Sequence, residues 1–229
     1  MDRRNFLTAG IAATTVLAST GQTPAKAEND RNVRIVGVSC SPRKGKTTAT
    51  SVNVALEAAK AVDPHIKIHL LDLGGMEISG WAGGAKPTDI ALPKDDFDLR
   101  VLPMLRDPVP DGLIIGSPSY FRSMSALCKA FMERLAVLRS PELLLADKPV
   151  GVLSVGAYRN GGQELVIQQI QTAMLCHEVM IVGGKPKAHQ GATLWNAYKD
   201  DIARDEFGIN TAKQLGIRVA EAALQIARK

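Results

Sequence analysis

The stretch Val33-Arg34-Ile35-Val36-Gly37-Val38-Ser39-Cys40-Ser41-Pro42-Arg43-Lys44-Gly45-Lys46-Thr47-Thr48 decides the fold. Its first seven residues form a short run rich in β-branched side chains, the composition of a buried strand, and helical periodicity takes over from Thr47. Only a short loop carrying Pro42 and Gly45 separates the two. A strand that feeds a helix in this way opens a βαβ unit. It also gathers backbone N–H groups at a helix N-terminus, where the dipole favours an anion and phosphate commonly binds. Ser39, Ser41, Thr47 and Thr48 add hydroxyl donors, Lys46 a positive charge and Arg43 a charge-assisted hydrogen bond. The same residues also suit a polar loop that only caps the first helix.

Outward from this unit, short apolar runs alternate with longer helical stretches. Strands are expected over 33–39, 66–71, 112–117, 149–155 and 178–182, and helices over 47–62, 97–106, 123–138, 162–176 and 205–227. That pattern predicts an α/β chain with a single doubly wound domain, a five-stranded parallel sheet in the order 2-1-3-4-5. Ligands of such sheets bind outside the carboxyl ends of the strands, where the winding reverses between the first and third. The stretches 74–95 and 183–203 lack periodicity and are expected as surface loops of functional kind.

Two more loops fall at that edge. After the third strand comes Gly116-Ser117-Pro118-Ser119-Tyr120-Phe121-Arg122-Ser123-Met124-Ser125-Ala126, and after the fourth Gly156-Ala157-Tyr158-Arg159-Asn160-Gly161-Gly162. Glycines in the latter let backbone amides approach a flat ring closely. A plain turn at Gly161-Gly162 and ordinary packing of Tyr120 and Phe121 are the alternatives for each loop alone.

Taken together, the three loops resemble those of the NADPH-dependent FMN reductase family within the flavodoxin-like superfamily. Residues 39–48 match its S-x-S-P-R-x-x-x-x-T loop. Residues 116–126 are close to its G-S-P-x-Y loop, which leads into a helix holding Lys129-Ala130-Phe131. The stretch 205–223 is similar to its closing helix, with Gly216, Ala220 and Glu221. The resemblance implies FMN held by its phosphate at Ser39, Ser41, Arg43, Lys46, Thr47 and Thr48. The ring would lie along Pro118, Ser119, Tyr120, Phe121 and Ser123, with its pyrimidine edge at Gly156, Tyr158, Asn160, Gly161 and Gly162.

The activity so implied is hydride transfer from NAD(P)H, or electrons from another reduced donor, to flavin N5 and onward to a quinone, free flavin, metal oxyanion or similar acceptor. No catalytic side chain is assigned, because the flavin carries the chemistry. The rival reading is an electron carrier or flavin-binding module without a small-molecule substrate. Gly45-Lys46-Thr47 imitates the end of a Walker loop, but Cys40 stands where that loop needs its first glycine.

Relatives in the iron–sulfur branch carry a cysteine cluster after the second strand. Here residues 78–87 contain no cysteine, and thiolates are required to hold such a cluster. Flavin is therefore expected as the only redox centre, with no metal. Cys40, Cys128 and Cys176 are far apart and odd in number, against a disulfide scaffold, and Cys40 is expected to pack. The histidines show no ligand spacing.

At the N-terminus, Arg3-Arg4 precede Phe6-Leu7, an apolar run over 9–18 and Ala25-Lys26-Ala27, the layout of a secretory signal. Residues 1–27 resemble a twin-arginine export signal, which passes folded proteins and so suits a cofactor acquired before export. Its run is too short to span a bilayer. The expected partition is a signal at 1–27 and a flavodoxin-like FMN-binding domain at 28–229, periplasmic or otherwise exported. Loss of the signal lowers the net charge from +5 to about +3, too little for a nucleic-acid surface. Flavodoxin-like reductases often complete their site with a neighbouring subunit, so a homodimer or homotetramer is expected, with residues 81–93, Trp195 and Tyr198 as candidates to reach across.

Overall fold

The computed structural model describes residues 31–81 and 94–228. The expected signal at 1–27 and the greater part of the first long loop lie outside the described residues.

The chain runs β1 (Val33–Ser39), α1 (Thr47–Lys60), β2 (Ile66–Asp72), a π turn (Phe97–Val101) leading into α2 (Leu102–Arg106), β3 (Gly112–Pro118), α3 (Ala126–Arg134) and α4 (Ala136–Arg139). It continues with β4 (Pro149–Gly156), α5 (Gln163–Leu175), β5 (Met180–Ile181), β6 (Ala192–Trp195) and α6 (Glu206–Ala227). The sheet order is β2-β1-β3-β4-β5, all parallel. The π turn precedes Pro103. Proline offers no N–H and its ring crowds the carbonyl four residues earlier, so the turn widens there.

The expectation of five strands needs one correction. The fifth strand is only Met180–Ile181, beside Pro149 and Val150, and the chain then leaves the sheet. It returns within the stretch 183–203 as β6, which pairs in parallel with the second half of β4, Leu153 with Ala192 through Gly156 with Trp195. One sheet position is thus shared by two short strands. The return delivers residues 196–201 to the carboxyl edge of the sheet, next to the loops that follow β1, β3 and β4.

Alternation of side chains along the central strands feeds two cores. Val36, Val38, Ile115 and Val152 pack with Phe131 and Ile170 on one face. Ile35, Ile114 and Leu153 meet Leu56, Leu215 and Val219 of α1 and α6 on the other. Each such side chain contributes roughly 1.5–3 kcal/mol on burial. In register, Ser39 lies beside Gly116, and Pro118 beside Val155, so the exits of β1, β3 and β4 are level.

Ser125 ties this edge together. Its hydroxyl accepts from the Cys128 N–H at 3.0 Å, capping α3, and donates to the Cys40 carbonyl at 2.6 Å, while its own N–H donates to Ser117 Oγ at 3.1 Å. Ser125→Ala is expected to cost about 1–2 kcal/mol, the range of a lost cap. A thermal melt should show it as a fall of roughly 2–8 °C.

Candidate functional site

The loop from Cys40 to Lys46 is held from below. The Cys40 N–H donates to the Gly116 carbonyl at 2.8 Å, and the Leu73 N–H to the Ser39 carbonyl at 2.9 Å. Asp72 closes it, accepting from the Gly45 N–H at 2.7 Å and the Gly74 N–H at 3.2 Å. With the Gly45 amide spent in this way, the loop lacks a donor that the Walker wrap would use. At Gly74 the chain leaving β2 passes against the loop so closely that a Cβ would sit 2.3 Å from the backbone N and Cα of Lys44. Gly74→Ala therefore pushes the loop 40–46 out of place, and we expect it to lower stability by about 1–2 kcal/mol, as overpacking does, measurable by denaturant titration.

Lys46 is the N-cap of α1 in extended conformation, with no side-chain cap and no acidic residue in the first turn. The first-turn N–H groups, which have no intrahelical partner, are left facing the edge. Thr47 lines the cavity in front of them. Ser41 Oγ accepts from the Arg43 N–H at 3.2 Å. Thr48 is buried with its methyl group near Gly116. Ser39 is buried at the end of β1, its hydroxyl without a partner among the described residues.

An anion already sits on this loop. Asp200 reaches over from the segment after β6, with Oδ1 2.6 Å from Arg43 Nη1 and Oδ2 3.7 Å from Lys46 Nζ. That carboxylate, with the Tyr120 hydroxyl assisting, holds the Arg43 guanidinium above its ordinary pKa. Its two oxygens stand in for the oxygens of a phosphate, bridging two cations before an uncapped helix terminus. The residues present therefore fit the phosphate of FMN.

Beyond the loop opens a cavity of about 510 Å³, lined by Pro118, Ser119, Tyr120, Phe121, Gly156 and Ala157, with Asn196 and Tyr198 opposite. Tyr120 and Ser123 exchange both backbone hydrogen bonds at 2.9 Å, and between them Phe121 (φ 51°) and Arg122 (φ 63°) are both left-handed. This is the geometry of a primed two-residue hairpin turn, here without glycine, and it holds Phe121 fully out in solvent. The rings of Tyr158 and Tyr198 meet edge to face at 5.0 Å.

The second and third loops are joined directly, since Ser119 Oγ donates to the Gly161 carbonyl at 2.7 Å. Gly162 caps α5 at φ 91°, where a Cβ would also lie 2.8 Å from that of Arg122, so only glycine fits. Asn160 and Gly162 open instead on a neighbouring hollow of about 410 Å³, with Arg122 and Gln163. Ser123 Oγ turns to Gln169 on α5, at 3.0 Å. Of the residues expected around the flavin, Arg43, Thr47, Pro118, Ser119, Tyr120, Phe121 and Gly156 line the cavity of about 510 Å³. Lys46 borders it through Asp200, and Tyr158 through Tyr198. Trp195, expected as a residue that reaches outward, lies at the end of β6 with the Arg159 guanidinium 5.1 Å over its ring.

Cys40 and Cys128 are buried and Cys176 is exposed. Burial pushes the Cys40 thiol well up, and its hydrogen bond with Cys128 adds to this, so it rests as an unreactive thiol. Four thiolates are needed for a [4Fe–4S] cluster, and the chain has three cysteines in all; such a cluster does not fit. Among the described residues no group of metal-ligating side chains gathers, and no helix is long and apolar enough to cross a membrane.

Residues 33–193 match the family described as NADPH-dependent FMN reductase. An iron–sulfur flavoprotein of Methanocaldococcus jannaschii is 36% identical over 192 residues, covering 82% of this chain and 96% of that protein. An NAD(P)H dehydrogenase (quinone) of Archaeoglobus fulgidus is 29% identical over 115 residues, 49% of this chain and 59% of that one. In three dimensions the chain is similar to a flavodoxin, WrbA-like protein from Agrobacterium tumefaciens, with TM-score 0.53 and 18% identity over 85% of this chain and 98% of that one.

Proposed function

The chain belongs to the NADPH-dependent FMN reductase family, an FMN-dependent oxidoreductase by that membership, and from this premise we propose that it takes electrons from NAD(P)H and passes them to a quinone or a free flavin. The observation that carries the site assignment is the Asp200 carboxylate bridging Arg43 and Lys46 before the uncapped terminus of α1. An A. fulgidus relative named for quinone reduction supports the choice of acceptor.

When bound, the flavin supplies the two-electron chemistry, with hydride in and a reduced acceptor out. The protein's own residues bind and orient. Arg43, Lys46, Thr47 and the first-turn amides of α1 hold the phosphate. Pro118, Ser119 and Tyr120 form one wall for the ring and Gly156 and Ala157 another, fixed to each other by the Ser119–Gly161 hydrogen bond. Phe121 and Tyr158 form an exposed aromatic rim that offers apolar faces to a nicotinamide or quinone ring.

Flavin is the only redox centre in this reading, because the cysteines cannot supply a cluster. Residues 1–27 serve as a twin-arginine signal that carries the loaded protein to the periplasm or another exported location, and the protein assembles as a homodimer or homotetramer. Where nicotinamides are absent, a membrane quinol or redox protein replaces NAD(P)H as donor.

The decisive measurement is the visible spectrum of the purified protein with its chromophore identified after denaturation, followed by NADPH oxidation with a quinone. FMN near one per chain and quinone-dependent turnover are expected. A flavin-loaded protein that is inert to NAD(P)H but reduces cytochrome once chemically reduced is an electron carrier. A colourless protein that also refuses added FMN refutes the assignment.

A further inference from the structure

We propose that Asp200 is a latch on the flavin phosphate site: its carboxylate neutralises Arg43 and Lys46 until the phosphate of FMN displaces it, and the segment 196–201 then leaves the loop. The proposal rests on the reading of the cavity as an FMN site.

Three observations carry it. First, the carboxylate already spans both cations, 2.6 Å from Arg43 and 3.7 Å from Lys46, so phosphate and Asp200 compete for the same partners. A phosphate monoester brings more charge and an additional acceptor oxygen than a carboxylate. Two anions a few ångströms apart repel. Second, the segment is strained. Ala197, Tyr198 and Asp200 stand at φ 49°, 61° and 53°, in the left-handed region where side chains crowd the following carbonyl. Third, little else holds it down. Asn196 supplies its own turn, accepting from the Tyr198 N–H at 3.0 Å and the Lys199 N–H at 2.9 Å. Beyond that, the Asn196 N–H donates to the Gly156 carbonyl at 3.0 Å and pins the start of the segment to β4, while Tyr198 meets Tyr158 by its ring and a side-chain hydrogen bond and stays 69% exposed. A strained, exposed segment hinged at Asn196 and fastened at its tip by the Asp200 ion pairs and the Tyr198–Tyr158 contact has two arrangements, and a ligand that binds only one of them shifts the balance.

The consequence is specific to the phosphate. FMN must spend part of its interaction with Arg43 and Lys46 on releasing Asp200, whereas riboflavin has nothing with which to displace it. Removing the carboxylate therefore strengthens FMN binding and leaves riboflavin binding alone.

The test is a titration of apoprotein with FMN and with riboflavin, followed by quenching of flavin fluorescence, for the wild type and Asp200→Asn. The expected result is an FMN affinity about tenfold higher in the variant, with riboflavin within twofold; Asp200→Ala should move in the same direction. In the wild type, amide hydrogens of 196–201 should exchange faster on adding FMN and stay unchanged with riboflavin. If the wild type prefers FMN to riboflavin but Asp200→Asn binds FMN no better, or worse, the phosphate site stands and the latch is wrong, Asp200 being then a part of the bound site. If neither flavin binds the wild type, the site assignment and the latch fall together.

Discussion

Asp205→Ala is expected to lower the melting temperature by roughly 6–12 °C, the effect of about 3 kcal/mol in a domain of this size. The side chain is 1% exposed and serves three elements at once. Oδ1 accepts from the Gly208 N–H at 3.0 Å, capping α6, and from Arg159 Nη2 at 2.8 Å, while Oδ2 accepts from the Trp195 N–H at 2.8 Å. Loss of the cap costs about 1 kcal/mol. The stranded Trp195 amide adds about 1–3 kcal/mol, the cost of a buried donor without an acceptor. Arg159 is 55% exposed, so water replaces its partner and its share is small. Beyond stability, the variant releases the loop after β4 from the end of β6, and FMN affinity should fall with it. Asp201→Ala, close by but exposed, is the control and should stay within about 0.5 kcal/mol of wild type. An Asp205→Ala protein that melts with the control would show that β6 and α6 are anchored elsewhere.

Asp205 also shows where the sequence stops being informative. Its role as a helix start is legible, since an acidic cap before a long amphipathic stretch is a local signal. Its bonds to Arg159 and Trp195 are not, because they join residues 46 and 10 positions away whose proximity exists only once the sheet is built. The strand, loop and helix at 33–60 were readable because β-branched composition, Pro42, Gly45 and helical periodicity all act within a few residues. The order β2-β1-β3-β4-β5 is the doubly wound arrangement that five strands with intervening helices suit. By contrast β6 lies in a stretch without periodicity. Ala-Thr-Leu-Trp is too short to declare itself, and what makes it a strand is an open edge on β4 that β5 leaves unfilled.

The site was legible to the same degree. The loops after β1, β3 and β4 carry their own turn chemistry and converge as expected. The hairpin turn at Phe121-Arg122 gave no sign, for it uses left-handed residues without the usual Asn or Gly. Asp72, which fixes the phosphate loop from 27 residues away, and Asp200, which covers it, were both missed, because a lone aspartate in a loop looks the same whether it meets water or two cations.

Replacing Arg43 and Lys46 together by alanine is expected to weaken FMN binding about 30- to 150-fold, and to leave riboflavin binding within twofold. Hydrogen bonds to charged partners are each worth about 1.5–3 kcal/mol. Both side chains are nearly half exposed, so solvent screening, together with the release of Asp200 that accompanies their loss, brings the net effect down to about 2–3 kcal/mol, which is the stated range in affinity. The amides of the α1 terminus and Thr47 remain, so binding is weakened rather than abolished. Titration of apoprotein with each flavin gives the answer, and the comparison between them isolates the phosphate from the ring. A loss shared equally by FMN and riboflavin would mean that the two cations shape the cavity and do not hold a phosphate. The same double variant also decides how Asp200 acts, since coupling between groups is measured by the failure of their effects to add. With Arg43 and Lys46 gone the carboxylate has nothing left to fasten, and a third substitution, Asp200→Asn, should then change FMN affinity less than twofold. A full tenfold gain in that background would mean that Asp200 opposes the flavin by direct repulsion, independently of the cations it now bridges.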